Sequence, residues 1–170
     1  MTVYEAIRKR YSCRAYQDKP IEQEKLDNLI EAARLAPSAK NTQDWRFVVV
    51  TNREIRHKLA QVTNKPESFE KAGIILVGCS NSNDVMRCGQ AIAQIDVSIA
   101  LEHIALQATE LGLGTCWIGS FNTDKVREIL GIPGDIQIIE LMAIGYPADN
   151  WKQPKREPAE KIVCFEKWQF

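Results

Sequence analysis

Residues 86–111 carry the longest helical pattern of the chain, and its apolar positions do not gather on one side. Ile92, Ile95, Ile99, Ile104 and Leu106 are spread around the axis too widely for a helix with one face in water. A helix that is apolar all round must be enclosed by other elements. The spacing therefore predicts a buried central helix over 86–111, around which the rest of the chain assembles. Gly112 follows it as a residue suited to the left-handed turn that ends a helix.

The elements that could enclose it stand on either side. Thr2 and Glu5 form a capping box, and Val3, Ala6 and Ile7 give the short helix behind it one apolar stripe. From Ile21 to Leu35, positions Leu26, Leu29, Ile30 and Ala33 keep the 3.6-residue period, and Pro37 prevents continuation. Arg46–Thr51 holds a Phe-Val-Val-Val run suited to a buried strand, and Ile74–Cys79 repeats the pattern after a helix that turns Ile55 and Leu59 inward. Thr115–Ile118 reads as a short strand, Asp124–Leu130 as a small helix ended by Gly131, and Gln137–Ile144 as a final strand. The alternation predicts helices layered on both faces of one sheet. At 170 residues and 19.3 kDa, the chain fits one domain, residues 1–170, able to bury roughly 70% of the surface its unfolded form exposes.

Lysines and arginines equal aspartates and glutamates at 22 each, so no overall field draws the protein to nucleic acid or an anionic membrane. Any anion-binding function must be local. Five cysteines (Cys13, Cys79, Cys88, Cys116, Cys164) are scattered without a CxxC pair or zinc spacing, and buried reduced thiols are expected. The first residues lack a charged-then-apolar leader pattern, and no apolar run approaches the roughly 20 residues that span a bilayer. A cytoplasmic location is the expectation.

Four segments could carry chemistry. In Arg10-Tyr11-Ser12-Cys13-Arg14 two guanidiniums flank a hydroxyl at every second position, which an extended backbone places on one face, a geometry suited to phosphate. Between a helix and a strand, Pro37-Ser38-Ala39-Lys40-Asn41-Thr42-Gln43-Asp44-Trp45 is rich in amide and hydroxyl groups that match the edge of a pyrimidine-like ring, or else form a plain polar turn. Gly112–Gly119 has glycines at both ends of a strand but not the strand-to-helix context of a Rossmann fingerprint. Lys152-Gln153-Pro154-Lys155-Arg156 sets cations between prolines, either to close around an anion or as a solvated linker. Of the remaining polar residues, His103 reads as a satisfied interior histidine, His57 as exposed, and Asp96 as the cap of a buried network or a residue of a subunit seam. Cys116 lies among apolar neighbours that argue against a reactive thiolate, and Trp117 reads as core or ring packing.

Taken in order, Arg10–Arg14, Pro37-Ser38 with Asn41, Gln43 and Trp45, Gly112–Gly119, Gly145-Tyr146-Pro147 and Lys155-Arg156 resemble the FMN-dependent nitroreductase family from about Val3 to Phe165. The resemblance implies an α+β fold: a three-layer α/β/α sandwich on a mixed, largely antiparallel sheet. Its C-terminal segment, with Ile162, Val163, Cys164, Phe165, Trp168 and Phe170 too apolar for water, would pack on the partner of a homodimer. It implies FMN at the subunit interface, with Arg10 and Ser12 on its phosphate, Tyr11 beside them, and Arg14 at the pyrimidine edge as the tuner of the reduced flavin. Cys116, Trp117, Ile118 and Gly119 would pass along the ring, with the Gly119 N–H near N5. Pro37, Ser38 and Ala39 would come from the other chain, helped by Asn41 and Gln43, and Lys155 and Arg156 would finish the phosphate site. Two departures stand out: the two tail cations are adjacent where the family spaces them by one residue, leaving Lys152, Lys155 and Arg156 as competing phosphate ligands, and Asp44 precedes Trp45 where proline is common. The implied activity is NADH- or NADPH-driven reduction of nitroaromatic, quinone or related conjugated small molecules, with no metal and no protein acid or base required. A specialised flavin-fragmenting, dehalogenating or thiazoline-oxidising member is a second reading, for which residues 52–73 leave little room for a long lid. A non-enzymatic flavin carrier is a third.

Overall fold

The computed structural model describes residues 1–150 and 154–170. Helix α1 (Val3–Lys9) opens on the Thr2–Glu5 capping box, in which each residue bonds the other's backbone N–H. Helix α2 (Gln23–Arg34) turns Leu29 and Ala33 inward. Strand β1 (Trp45–Val50) leads into α3 (Arg53–Gln61), capped by Asn52, and then β2 (Ile74–Ser80), which is buried along its whole length. Helix α4 (Ile92–Glu110) is followed by β3 (Gly114–Ile118), α5 (Thr123–Leu130) and β4 (Gln137–Gly145). Gly131 closes α5 at φ 65°, and Gly112 takes φ 75° after α4, conformations glycine adopts without a Cβ clash.

The strands pair in the order β1-β2-β4-β3, antiparallel throughout. The mixed character expected of the sheet reduces, among the described residues, to one isolated parallel bridge between Ser12 and Thr115. Strand alternation divides the core into two layers. Ile75, Val77, Leu141, Ala143, Cys116 and Ile118 face α3 and α5, where they meet Leu59, Ala60 and Val126. Ile74, Leu76, Met142 and Ile144 face α2 and α4, where they meet Leu29, Val97, Leu101 and Ile104. The three-layer α/β/α arrangement and the α+β class follow from these two faces.

Helix α4 departs from expectation in two ways. It begins at Ile92 rather than residue 86, because Met86–Ala91 closes a tight turn instead: the Met86 N–H bonds the Gln90 carbonyl at 2.8 Å, with Gly89 at φ 86°. Nor is it buried all round. Val97, Ala100, Leu101, Ile104 and Ala108 lie in the core, while Ile95, Ile99, Glu102, His103 and Leu106 form a stripe that is half-buried or exposed. His103 is thus a residue of this open stripe, not an interior histidine. The all-round apolar pattern signals an element with two apolar faces, of which this chain covers one.

Gly78 on β2 is what lets α4 lie so close to the sheet, since a Cβ there would stand 2.7 Å from Val97 Cγ1. Replacing Gly78 by alanine is expected to cost about 1–3 kcal/mol, read as a lower thermal midpoint; an unchanged midpoint would show that α4 is not seated as described. The thiols provide a second check. Cys13, Cys79 and Cys116 are buried as expected, but Cys88 is exposed in the turn before α4 and Cys164 is half-exposed. Burial pushes Cys13 and Cys79 up to about 11 and raises Cys116, so at pH 8 these three hold little of the nucleophilic thiolate. An aromatic disulfide reagent at pH 8 is expected to label Cys88 first and to reach Cys13, Cys79 and Cys116 only on unfolding. Equal labelling of Cys79 in the native protein would contradict this burial.

Candidate anion-binding site

Between the end of α1 and Tyr16 the chain runs extended along β3. The Cys13 N–H bonds the Thr115 carbonyl at 2.9 Å, and the close approach depends on Gly114, where a Cβ would lie 2.6 Å from Cys13 Cβ. Extended backbone alternates its side chains. Cys13 is therefore turned inward, while Arg10, Ser12 and Arg14 share the opposite face. Behind the segment, the Tyr16 hydroxyl lies 2.9 Å from the Cys13 carbonyl and 3.2 Å from that of Ala143.

Arg10, Ser12 and Arg14 line one open cleft of about 570 Å³ together with Tyr11, Asp149 and Arg156. The cleft joins the N-terminal segment to the chain beyond β4. Gln17 N–H bonds the Tyr146 carbonyl and Ala148 N–H the Ala15 carbonyl, both at 2.8 Å. Arg10 is steadied by Glu102 of α4, Nε to carboxylate 3.7 Å, and Glu102 is itself raised by burial against the opposing pull of Arg10. Arg14 Nη1 bonds the Ser12 carbonyl at 3.3 Å.

Asp149 was not singled out by the sequence, and among the described residues it is the best-connected side chain of the cleft. Its Oδ1 accepts from the Tyr11 hydroxyl at 2.6 Å and the Cys13 thiol at 3.4 Å, and its Oδ2 accepts from the Arg14 N–H at 3.2 Å. Burial opposes its ionisation, but these hydrogen bonds together outweigh it and hold the carboxyl below its ordinary value. Burial, then the Asp149 carboxylate, raises Tyr11 well above the usual phenol range, so its hydroxyl remains a donor. The only signal in the sequence was position, four residues after Gly145.

Several expected ligands stand elsewhere. Lys155 is exposed and does not line the cleft, whereas its neighbour Arg156 does; Lys152 lies outside the described residues. Cys116 and Ile118 turn their side chains into the α3/α5 layer, which leaves only their backbone available to a ligand, and Trp117 packs half-buried on the α2/α4 side. Gly119 ends β3 in an exposed position, 3.3 Å from Glu140 Oε1 measured at the place a Cβ would take. The Pro37–Gln43 loop is outside the cleft of its own chain. Ser38 and Ala39 are half-buried, Pro37, Asn41 and Gln43 exposed, and Ala39 N–H is held by both Asp96 oxygens at 3.0 and 3.2 Å. Asp96 is thus the cap of a buried connection from α4 to this loop. Lys40, Asn41 and Gln43 take φ 52°, 56° and 56°, and the Gln43 N–H bonds Ser38 Oγ at 3.0 Å.

The donor set of the cleft, three guanidiniums and a hydroxyl beside a carboxylate that is itself hydrogen-bonded by Tyr11 and the Arg14 N–H, fits a phosphate monoester. No helix among the described residues is long and apolar enough to cross a membrane.

Comparison with known proteins bears on the fold and on the family. The model of the nitroreductase family matches residues 7–72 and 63–146. A nitroreductase family protein of Clostridium difficile 630 superposes with a TM-score of 0.89 at 34% identity, covering 99% of this chain and 100% of that one. An FMN-dependent nitroreductase of Clostridium difficile R20291 gives 0.83 at 32% identity, covering 96% and 98%. An NADH dehydrogenase of Thermus thermophilus is 30% identical over 192 residues, 94% of each chain. With the family model matched over more than half of its length and relatives at 30% identity or more covering most of it, the chain belongs to the nitroreductase family.

Proposed function

We propose that this protein is an FMN-dependent NAD(P)H oxidoreductase that acts as a homodimer on nitroaromatic, quinone or related conjugated acceptors. The observation that carries the reading is the convergence of Arg10, Ser12, Arg14 and Arg156 on one cleft beside β3. When bound, FMN supplies the two-electron chemistry, taking hydride from a reduced nicotinamide and passing it to an acceptor.

The residues of this chain bind and orient. Arg10 and Ser12 hold the phosphate dianion, with Arg156 closing over it from the C-terminal side. Arg14, exposed and fixed through its own backbone by Asp149, presents a cation toward the ring edge, where negative charge develops on reduction. The Gly119 backbone, bare of a side chain at the end of β3, offers its N–H to the hydride-exchanging atom. Donor and acceptor use the same space in turn, a ping-pong order that needs no acid or base from the protein. The residues cover one domain, 1–170.

The dimer reading rests on surfaces the chain leaves open. Ile95, Ile99 and Leu106 of α4 are half-buried or exposed, and Phe165 and Trp168 in the tail are 77% and 83% exposed. Pairing of α4 with its copy would cover the first set and bring the Pro37–Gln43 loop, tied to α4 by Asp96, to the partner's flavin. Sedimentation velocity is expected to give a species of twice 19.3 kDa, and a monomer that still binds flavin would overturn this part.

The central test is spectroscopic. The purified or reconstituted protein is expected to carry a flavin absorbance band that NADH or NADPH bleaches anaerobically and menadione restores. Arg10→Ala is expected to weaken FMN binding by about 1.5–3 kcal/mol, the worth of a hydrogen bond to a charged group, which is roughly tenfold to a hundredfold in Kd. Failure to retain flavin after reconstitution would refute the reading, and full occupancy without turnover would reduce it to a carrier.

A further inference from the structure

A carboxylate on the wall of an anion cleft is out of place on charge grounds, because it repels what the guanidiniums attract. Asp149 lines the same cleft as Arg10, Ser12, Arg14 and Arg156. Its hydrogen bonds explain the exception. Among the described residues, the Tyr11 hydroxyl and the Arg14 N–H donate to it, and the Cys13 thiol lies 3.4 Å away, sharing its proton with the Ala15 carbonyl at 3.2 Å; all three belong to the extended segment that carries the cations. The two side chains it grips are those of residues 11 and 13, on the alternate positions to 10, 12 and 14. Asp149 therefore holds the segment through residues that alternate with Arg10, Ser12 and Arg14, while itself lining the cleft.

The backbone of the segment has other holds at its ends and in its middle. The Arg10 N–H closes α1 on the Ala6 carbonyl, the Cys13 N–H pairs with β3, and Ala15 accepts from Ala148. The Arg14 N–H is taken by Asp149 itself. One carboxylate from beyond β4 thus adds a further hold on the segment whose close approach to β3 Gly114 permits, next to the three cleft-facing side chains.

We propose that Asp149 is a positioning residue of this cleft: by holding the Tyr11 side chain and the Arg14 backbone, it aligns Arg10, Ser12 and Arg14 and strengthens the protein's preference for a phosphorylated flavin over the unphosphorylated one. The proposal rests on the flavin reading above. It assigns Asp149 no contact with the reacting atoms.

The test compares FMN with riboflavin, which share the ring and differ in the phosphate. Dissociation constants for both are measured by flavin fluorescence with apoprotein of the wild type, Asp149→Asn and Tyr11→Phe, together with the thermal midpoint of each. Asp149→Asn is expected to lose about tenfold or more in FMN affinity with a clearly smaller loss for riboflavin, which keeps only the ring-edge contact of Arg14, and Tyr11→Phe to lose less in the same direction. Equal weakening of both flavins with a lowered midpoint would make Asp149 a general stabiliser, and unchanged affinities would make it a bystander; either overturns the proposal. A wild type that binds neither flavin would refute the flavin reading, and inorganic phosphate would then judge the positioning role by NMR: loss in Asp149→Asn of phosphate-induced shifts at the Ser12 and Arg14 amides supports it, and their persistence overturns it.

Discussion

The contact between Cys13 and Gly114 governs this molecule. A small side chain meets a missing one, and the segment after α1 can therefore run against β3 closely enough for backbone pairing. From that single approach follow the inward thiol, the outward guanidiniums and the shared wall with the residues beyond β4. A methyl group on Gly114 would overlap Cys13 and force the segment away from the strand. Glycine is commonly credited with making room for ligands, but here its first service is to let two stretches of protein touch.

The same economy holds on the other side of the sheet. Gly78 brings α4 down onto β2 and β4, and Val97 and Leu101 fill the space a side chain would have taken. Close packing of this kind resists change in either direction. The helix so anchored is also the one that holds Arg10 through Glu102 and the polar loop through Asp96. One element thereby relates the cation segment to the Pro37–Gln43 loop.

Much of this was legible in the residues because periodicity reports burial directly. The β-branched run of β2 became a buried strand, that of β1 an edge strand buried only at its ends, the capping box began α1, and Gly131 ended α5. The alternation in Arg10–Arg14 survived because an extended segment has few ways to arrange its side chains. What failed did so for physical reasons. Met86–Ala91 looked helical by composition, yet Gly89 made a reverse turn cheaper than another helical turn. His103 was expected inside because its helix is apolar, and an apolar helix face can equally be left for a second chain. Asp149 was invisible because its partners lie more than a hundred residues away, and no local pattern encodes a contact of that separation.

The Pro37–Gln43 loop carries a debt of its own. Lys40 and Gln43 adopt left-handed backbone angles that cost residues with a Cβ about 1–3 kcal/mol each, and glycine could have stood at either place without that penalty. A chain that tolerates such strain while keeping long amide and ammonium groups there has set chemistry above comfort. Random drift at these sites should therefore run toward glycine whenever the loop's task is relieved, so the persistence of polar side chains among homologues would itself record that the task is still performed.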